Sequence, residues 1–229
     1  MKQQHTSWGN LLAAGLLLSG VSVPADIMTQ TASYSTSLTI PDWNANGVAD
    51  TEVFSFAGAT SIDSLQVTLN IAGGWNGDYY AYLRHGGSGF AVLLNRPGVT
   101  GTNAYGYGDS GINVVFSDNA TNGDIHFYQN VLNPQGAGLT GLWQPDGRNV
   151  DPGVVTGGSS RDAMLSSFMG LDPNGSWTLF VADLSPGGIG TLQSWGLSVT
   201  AEVVPEPGTV DVLGMGLGVA LLWWRRQAS

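Results

Sequence analysis

The sequence predicts an all-β fold, an antiparallel β-sandwich of the jelly-roll type, flanked by two apolar end segments. Between residues 26 and 203, apolar and polar residues alternate in short runs that turn residues separate. The chain contains 34 glycines, and this region shows no sustained helical periodicity. Many short strands joined by turns favour a two-sheet sandwich.

The N-terminal segment predicts a secretory signal peptide over residues 1–25. Lys2 and His5 precede the apolar run Leu11–Leu18, and small residues lead up to Ala25. This layout is typical of a signal peptide cleaved after Ala25. A permanent anchor is the alternative, but the apolar run is too short to span a bilayer.

Alternation defines the strands of the central region. In Leu65–Ile71 the odd positions are apolar and the even ones polar, as in a strand with one buried face. The eight predicted strands are Ser37–Ile40, Val53–Phe56, Ile62–Ile71, Tyr79–His85, Ala91–Asn95, Ile112–Ser117, Trp177–Asp183 and Leu192–Ala201. The segments 97–110 and 132–160 are predicted loops.

Charge and cysteine content exclude several classes of function. The chain has a formal net charge of −10 and no cysteine. Between residues 26 and 204 the only basic residues are Arg84, Arg96, Arg148 and Arg161. Nucleic-acid binding is excluded because it needs clustered cations. Disulfides, thiolate metal sites and a cysteine nucleophile are also excluded.

The last 26 residues, 204–229, form a distinct tail. Pro205, Glu206 and Pro207 disfavour a helix or sheet interior, so this motif is expected to be extended and accessible. A membrane helix is predicted over about residues 209–224, and Arg225 and Arg226 would hold its end in the cytoplasm. The alternative is a buried C-terminal helix of the main domain.

The tail resembles the PEP-CTERM sorting signal of Gram-negative bacteria that make extracellular polysaccharide. That resemblance implies that exosortase, an integral-membrane cysteine protease, cuts at the motif. It also implies an exported protein with a transient inner-membrane anchor, destined for the outer surface or the extracellular matrix. Asp211 departs from the pattern by placing a charge at the start of the apolar run.

The central region resembles the P domain that follows the catalytic domain of proprotein convertases, which is a jelly roll. The matching segments are Ile40-Pro41-Asp42 with Gly47-Val48; Trp75–Leu83 with Gly86–Gly89 and Val92–Leu94; and Phe168–Gly170 with Gly175–Asp183, Gly190–Leu192 and Trp195–Leu197. Gly74-Trp75-Asn76 replaces a histidine that the family often has. The resemblance implies an accessory module without catalytic residues, which here is expected to stand alone behind the signal peptide.

The residues of the central region do not predict an enzyme. Its histidines, His85 and His126, are expected to be surface or half-buried residues, and no Gly-x-Ser-x-Gly motif is present. The glutamates available for glycoside cleavage are Glu52 and Glu202, and neither lies in an aromatic motif. A secreted hydrolase remains a minor alternative.

Calcium is the one cofactor that the sequence suggests. Asp42, Asn44, Asn46 and Asp50 place oxygen donors at the first, third, fifth and ninth positions of a loop with Gly47 at the sixth. The twelfth position is valine instead of glutamate, and an Asx-type turn is the alternative. Asp78 and Asp183 are further candidate ligands, with loop capping as their alternative role.

Loop aromatic residues suggest a ligand surface. Trp75, Tyr105, Tyr107 and Trp143 lie in segments rich in glycine and asparagine, where their rings could stack on sugars. The alternative is that they pack under their own loops. The sequence thus predicts a non-enzymatic exported envelope or matrix protein with an interaction or structural module, for which exopolysaccharide and an envelope protein are the candidate partners. A module for the cell's own exopolysaccharide is the alternative.

Overall fold

In the computed structural model, which describes residues 26–204, nine strands form two sheets that pack face to face. The strands are β1 (Asp26–Ile40), β2 (Asn44–Phe54), β3 (Ala59–Gly73), β4 (Tyr79–His85), β5 (Gly89–Asn95), β6 (Ile112–Phe116), β7 (Leu139–Trp143), β8 (Gly175–Asp183) and β9 (Gly190–Val203). Three short 3₁₀ helices, Asn76–Asp78, Ile125–Asn130 and Leu165–Phe168, lie in the connections.

The two sheets have five and four strands. The first has the order β1-β9-β3-β6-β7 and the second the order β2-β8-β4-β5. Neighbours are antiparallel except for β6 and β7, which run parallel. The predicted all-β sandwich is confirmed, with this one parallel pair in place of a fully antiparallel arrangement.

The core lies between the sheets and follows from the alternation in the sequence. Leu65, Val67 and Leu69 of β3 point inward and are at most 5% exposed. Trp177 and Trp195 are fully buried, as are most of the inward residues of β4 and β8. Each large apolar side chain buried in this way stabilises the fold by about 1.5–3 kcal/mol, which a chain without disulfides needs.

The terminal segments are outside the described residues. The predicted signal peptide (1–25), the Pro-Glu-Pro motif and the tail helix over about residues 209–224 all fall there and stay predictions. Within residues 26–204, no helix is both long and apolar enough to cross a membrane.

Candidate ligand-binding site

The outer face of the four-stranded sheet carries aromatic side chains because β4 alternates. Tyr79, Ala81 and Leu83 point into the core, so Tyr80 and Tyr82 project outward and are only half-buried. In the antiparallel register Tyr82 lies opposite Phe180 of β8. Their rings stack with centroids 4.8 Å apart and planes 16° from parallel.

Two further rings extend this pair into a continuous aromatic surface, formed by Tyr80, Tyr82, Phe90 and Phe180. The ring of Tyr80 lies 6.0 Å from that of Tyr82 and 6.4 Å from that of Phe180. Phe90 of β5 adds a ring 5.3 Å from Tyr82. Three neighbouring strands therefore present one apolar, partly exposed patch to solvent.

Beside this surface lies a groove of about 490 Å³, which we call the aromatic groove. Tyr80, Tyr82 and Phe180 form its apolar side, and Arg96 and Asp151 are the charged residues at its edge. Burial, with smaller contributions from Tyr82 and Asp146, raises the pKa of Tyr80. The volume falls in the range of pockets that bind small molecules.

Arg96 is fixed in place next to the aromatic groove. Its Nε donates to the carbonyl oxygen of Gly77 at 3.3 Å, and its Nη2 donates to Ser185 Oγ at 2.9 Å and to the carbonyl oxygen of Ala104 at 3.2 Å. The backbone of Arg96 has a φ of 51°, a left-handed conformation that residues other than glycine rarely adopt. Such a guanidinium is pre-organised for hydrogen bonding.

A second, smaller cavity of about 180 Å³ brings together three of the four predicted loop aromatics, Trp75, Tyr105 and Tyr107. Trp75 is 44% exposed and Tyr105 is 80% exposed. Trp143, the fourth, is fully buried, and its Nε1 donates to the carbonyl oxygen of Thr140. Its ring lies in the hydrophobic core and is not accessible to a ligand.

Asp78 and Ser185 also line the smaller cavity, and the backbone N–H of Ser185 donates to Asp183 Oδ1 at 3.2 Å. Burial, followed by the negative charges of Asp78 and Asp42, raises the pKa of Asp183 to about 6. Burial also raises the pKa of Asp78, to which Asp42 adds, while Ser185 and Arg96 oppose the rise. Three of the predicted calcium ligands, Asp42, Asp78 and Asp183, are thus electrostatically coupled.

The other predicted calcium ligands have different partners. The Oδ2 of Asp50 accepts a hydrogen bond of 2.6 Å from Trp195 Nε1. The Oδ1 of Asn44 accepts one of 2.9 Å from the backbone N–H of Asn46, which is the Asx-type alternative. The predicted 12-residue calcium loop is therefore not formed, because residues 44–54 belong to strand β2.

The two histidines are buried, so the expectation that they lie at the surface or half-buried was wrong. His126 Nδ1 hydrogen-bonds to Asp146 Oδ2 and its Nε2 donates to the carbonyl oxygen of Val99, both at 2.8 Å. Both ring nitrogens of His85 contact carbonyl oxygens, those of Ser176 and Asp172. None of these four nitrogens faces a serine hydroxyl.

Two protein families match parts of the chain. The proprotein convertase P-domain matches residues 149–199, and the PEP-CTERM protein-sorting motif matches residues 203–227. Both resemblances are confirmed. The P-domain match contains β8, which supplies Phe180 and Asp183. The sorting motif indicates an exported protein with a C-terminal anchoring tail, and it implies processing by exosortase.

Solved structures similar to this chain include two of a serine protease. The complex of Aeromonas sobria serine protease with its chaperone is 12% identical, with a TM-score of 0.43, and the match covers 77% of this chain. The Aeromonas sobria serine protease alone is 15% identical, with a TM-score of 0.41 and the same 77% coverage. This chain spans 27% of the length of either protease. Among curated proteins, none is significantly similar to it in sequence.

Proposed function

We propose that this protein is an exported, non-enzymatic module that binds a saccharide in the aromatic groove. The observation that carries the proposal is the aromatic surface beside a fixed guanidinium and a carboxylate. Sugar rings have apolar C–H faces and hydroxyl edges. Tyr82 and Phe180 would pack on the faces, and Arg96 and Asp151 would hydrogen-bond to the hydroxyls.

The sorting motif supports an extracellular ligand. The PEP-CTERM match at residues 203–227 implies export and cleavage by exosortase. Cells that carry this sorting signal make extracellular polysaccharide, which is therefore the saccharide that the mature module would meet first. We infer that the cleaved module stays at the outer surface or in the extracellular matrix and is held there through its groove.

The chemistry of the described residues supports binding over catalysis. His85 and His126 use both ring nitrogens on oxygen acceptors within the protein. Neither is therefore placed to activate a serine, as a hydrolase of the triad class would require. The P-domain match also implies an accessory module rather than a catalytic one.

Affinity electrophoresis of the full-length chain through gels containing the producer's own polysaccharide tests the proposal. We expect the wild type to be retarded, and Tyr82→Ala and Phe180→Ala each to weaken binding at least about tenfold, as buried aromatic anchors commonly do. Tyr105→Ala is the matched control, an exposed aromatic outside the groove, and it should bind like the wild type.

Two results would contradict the proposal. One is unretarded migration of the wild type. The other is equal retardation of all four proteins, which would place the contact elsewhere on the module. If the polysaccharide has no effect but an envelope protein binds in a way that depends on Tyr82, the groove serves a protein partner instead.

A further inference from the structure

We propose that Asp78 and Asp183 bind a calcium ion where β8 ends and β4 begins. Asp78 is 2% exposed and Asp183 is 0% exposed. Each leaves its Oδ2 without a hydrogen-bond partner among the described residues. Neither carboxylate lines the aromatic groove, although Arg96 lies beside both sites, and the proposal does not depend on saccharide binding.

The fold places the two carboxylates next to each other. Asp78 ends the 3₁₀ helix directly before β4, and Asp183 is the last residue of β8. Tyr79, the first residue of β4, is the register partner of Asp183, so Asp78 lies one residue away from that pair. The backbone N–H of Leu184 donates to the carbonyl oxygen of Asp78 at 2.9 Å, which links the chain after β8 to the chain before β4.

The negative charges around Asp78 and Asp183 outnumber the positive charges. Asp42 adds a third negative charge, and Arg96 is the cation that acts on Asp78. Buried carboxylate oxygens without partners destabilise a folded protein. A bound cation would supply both the missing positive charge and the missing contacts of the two Oδ2 atoms.

The available donors select calcium. Carboxylates and backbone carbonyls are oxygen ligands, and no imidazole or thiolate lines the adjoining cavity. Within residues 26–204, no three His, Cys, Asp or Glu side chains converge on one point. The ion would therefore complete its six to eight ligands with water, for which the smaller cavity beside Asp78 provides room and access.

A calcium site with two carboxylates and several waters is expected to be weak. Affinities of roughly 10⁻⁴ to 10⁻³ M are typical of extracellular calcium modules. With such an affinity, about 10 mM calcium would raise the Tm of the full-length chain by roughly 3 to 10 °C relative to EDTA.

Thermal unfolding of four full-length proteins tests the site. Asp78→Asn and Asp183→Asn should each lose the calcium-dependent rise in Tm, because the amide is a poorer ligand without charge. Asp63→Asn, which removes an exposed acid outside the site, should keep it. Both site variants should melt no lower than the wild type in EDTA, because each removes a buried charge whose Oδ2 has no hydrogen-bond partner among the described residues.

A second measurement locates the ion without altering its ligands. Trp75 lines the same cavity as Asp78, so terbium bound in place of calcium should show emission sensitised by Trp75. Trp75→Phe should lose most of that emission while keeping the calcium-dependent rise in Tm. Calcium should displace terbium in the wild type.

The pH dependence follows from the raised pKa of Asp183, about 6. Because this pKa exceeds the unfolded value of about 3.9, the folded protein without calcium binds the proton more tightly than the unfolded chain. Its stability should then fall as pH rises through the window from about 4 to 6. Protons compete with calcium at Asp183, so the calcium effect should be larger at pH 7.5 than at pH 5.

The proposal fails if the wild type has the same Tm in calcium and in EDTA and binds no terbium at pH 7.5. It also fails if Asp78→Asn and Asp183→Asn respond to calcium like the wild type. A rise in Tm on acidification with no calcium response would show that the two carboxylates share a proton and hold no ion. The wild-type measurements decide the question even if a variant does not fold.

Discussion

At the scale of single residues, a buried charge network holds the long connection after β6 against the segment after β7. Asp146, which is fully buried, accepts hydrogen bonds from His126 and from Arg148 Nη1, the latter at 3.1 Å. The Nη2 of Arg148 donates to Asp124 Oδ2 at 2.8 Å. The two ring nitrogens of His126 face Asp146 Oδ2 and the carbonyl oxygen of Val99, so the imidazole is held on both sides.

Asp146→Asn is predicted to destabilise the protein strongly. The substitution leaves the buried guanidinium of Arg148 with one carboxylate, that of Asp124, and breaking a buried ion pair in this way typically costs about 3–5 kcal/mol. Urea unfolding of the variant measures the loss. Asp162→Asn, at an exposed acid, should change the free energy of unfolding by less than about 1 kcal/mol. A cost that small for Asp146→Asn would show that the network is not needed.

This network could not be predicted from the sequence. His126 contacts Asp146 and Val99, which are far from it along the chain, and nothing in the local pattern links them. The aromatic surface, in contrast, had a local signal. Tyr80 and Tyr82 occupy the outward positions of a predicted strand whose inward positions are apolar, so their exposure on the sheet could have been inferred.

At the scale of elements, alternation predicted the strands that have one buried face. Each of the eight predicted strands overlaps an observed one, and β4 has the predicted bounds, Tyr79–His85. Strand β7 was missed and taken as part of a loop. It is an edge strand with three exposed residues in the middle, including Gly141 at a φ of 108°, so it lacks an alternating pattern.

The predicted calcium loop was instead the start of β2, and Gly47 explains the difference. The register of β2 against β8 shifts between Asn44 and Val48, where Gly47 adopts a φ of 51°. A Cβ at Gly47 would overlap the carbonyl oxygen of Val181. A glycine among Asp and Asn residues occurs both in calcium-binding loops and in β-bulges, so the sequence does not distinguish the two structures. Only the pairing of β2 with β8 identifies the bulge.

Gly47→Ala is predicted to destabilise the sandwich more than Gly86→Ala. Both glycines have a φ of 51°, but nothing lies within 4 Å of a Cβ at Gly86. Gly86→Ala should therefore cost about 1–2 kcal/mol from left-handed strain alone. Gly47→Ala should cost about 1–3 kcal/mol more, because it also forces β2 away from β8. Chemical denaturation measures both, and equal costs would mean that the bulge adjusts freely.

At the scale of the whole molecule, the chain combines a C-terminal sorting motif with a β-sandwich for which we propose a saccharide-binding groove. The sorting motif matches at residues 203–227, directly after the last strand of the sandwich. The sequence predicted a sorting motif after the sandwich because such a motif is recognised from a few consecutive residues and their hydropathy. The sequence placed its candidate ligand residues on the loops, and that prediction stays untested. The larger groove, on the sheet, could not be predicted because it combines residues from five segments that only the fold brings together.

Glu206→Ala is predicted to block sorting while leaving the sandwich intact. The acid is the centre of the Pro-Glu-Pro motif, so without it the precursor should not be cleaved and should accumulate in the membrane fraction. Immunoblotting of membrane and extracellular fractions measures the outcome. Glu202→Ala is the matched control, an exposed acid before the motif, and it should be released normally. Equal release of both variants would contradict exosortase processing.

Hydroxyl-radical footprinting with the producer's polysaccharide tests the central claim most directly, because it reports which side chains the ligand covers. We predict that bound polysaccharide lowers the labelling of Tyr80, Tyr82 and Phe180, while Tyr105, which is 80% exposed, is labelled as before. Unchanged labelling of the three groove residues at a polysaccharide concentration that saturates binding would contradict the account.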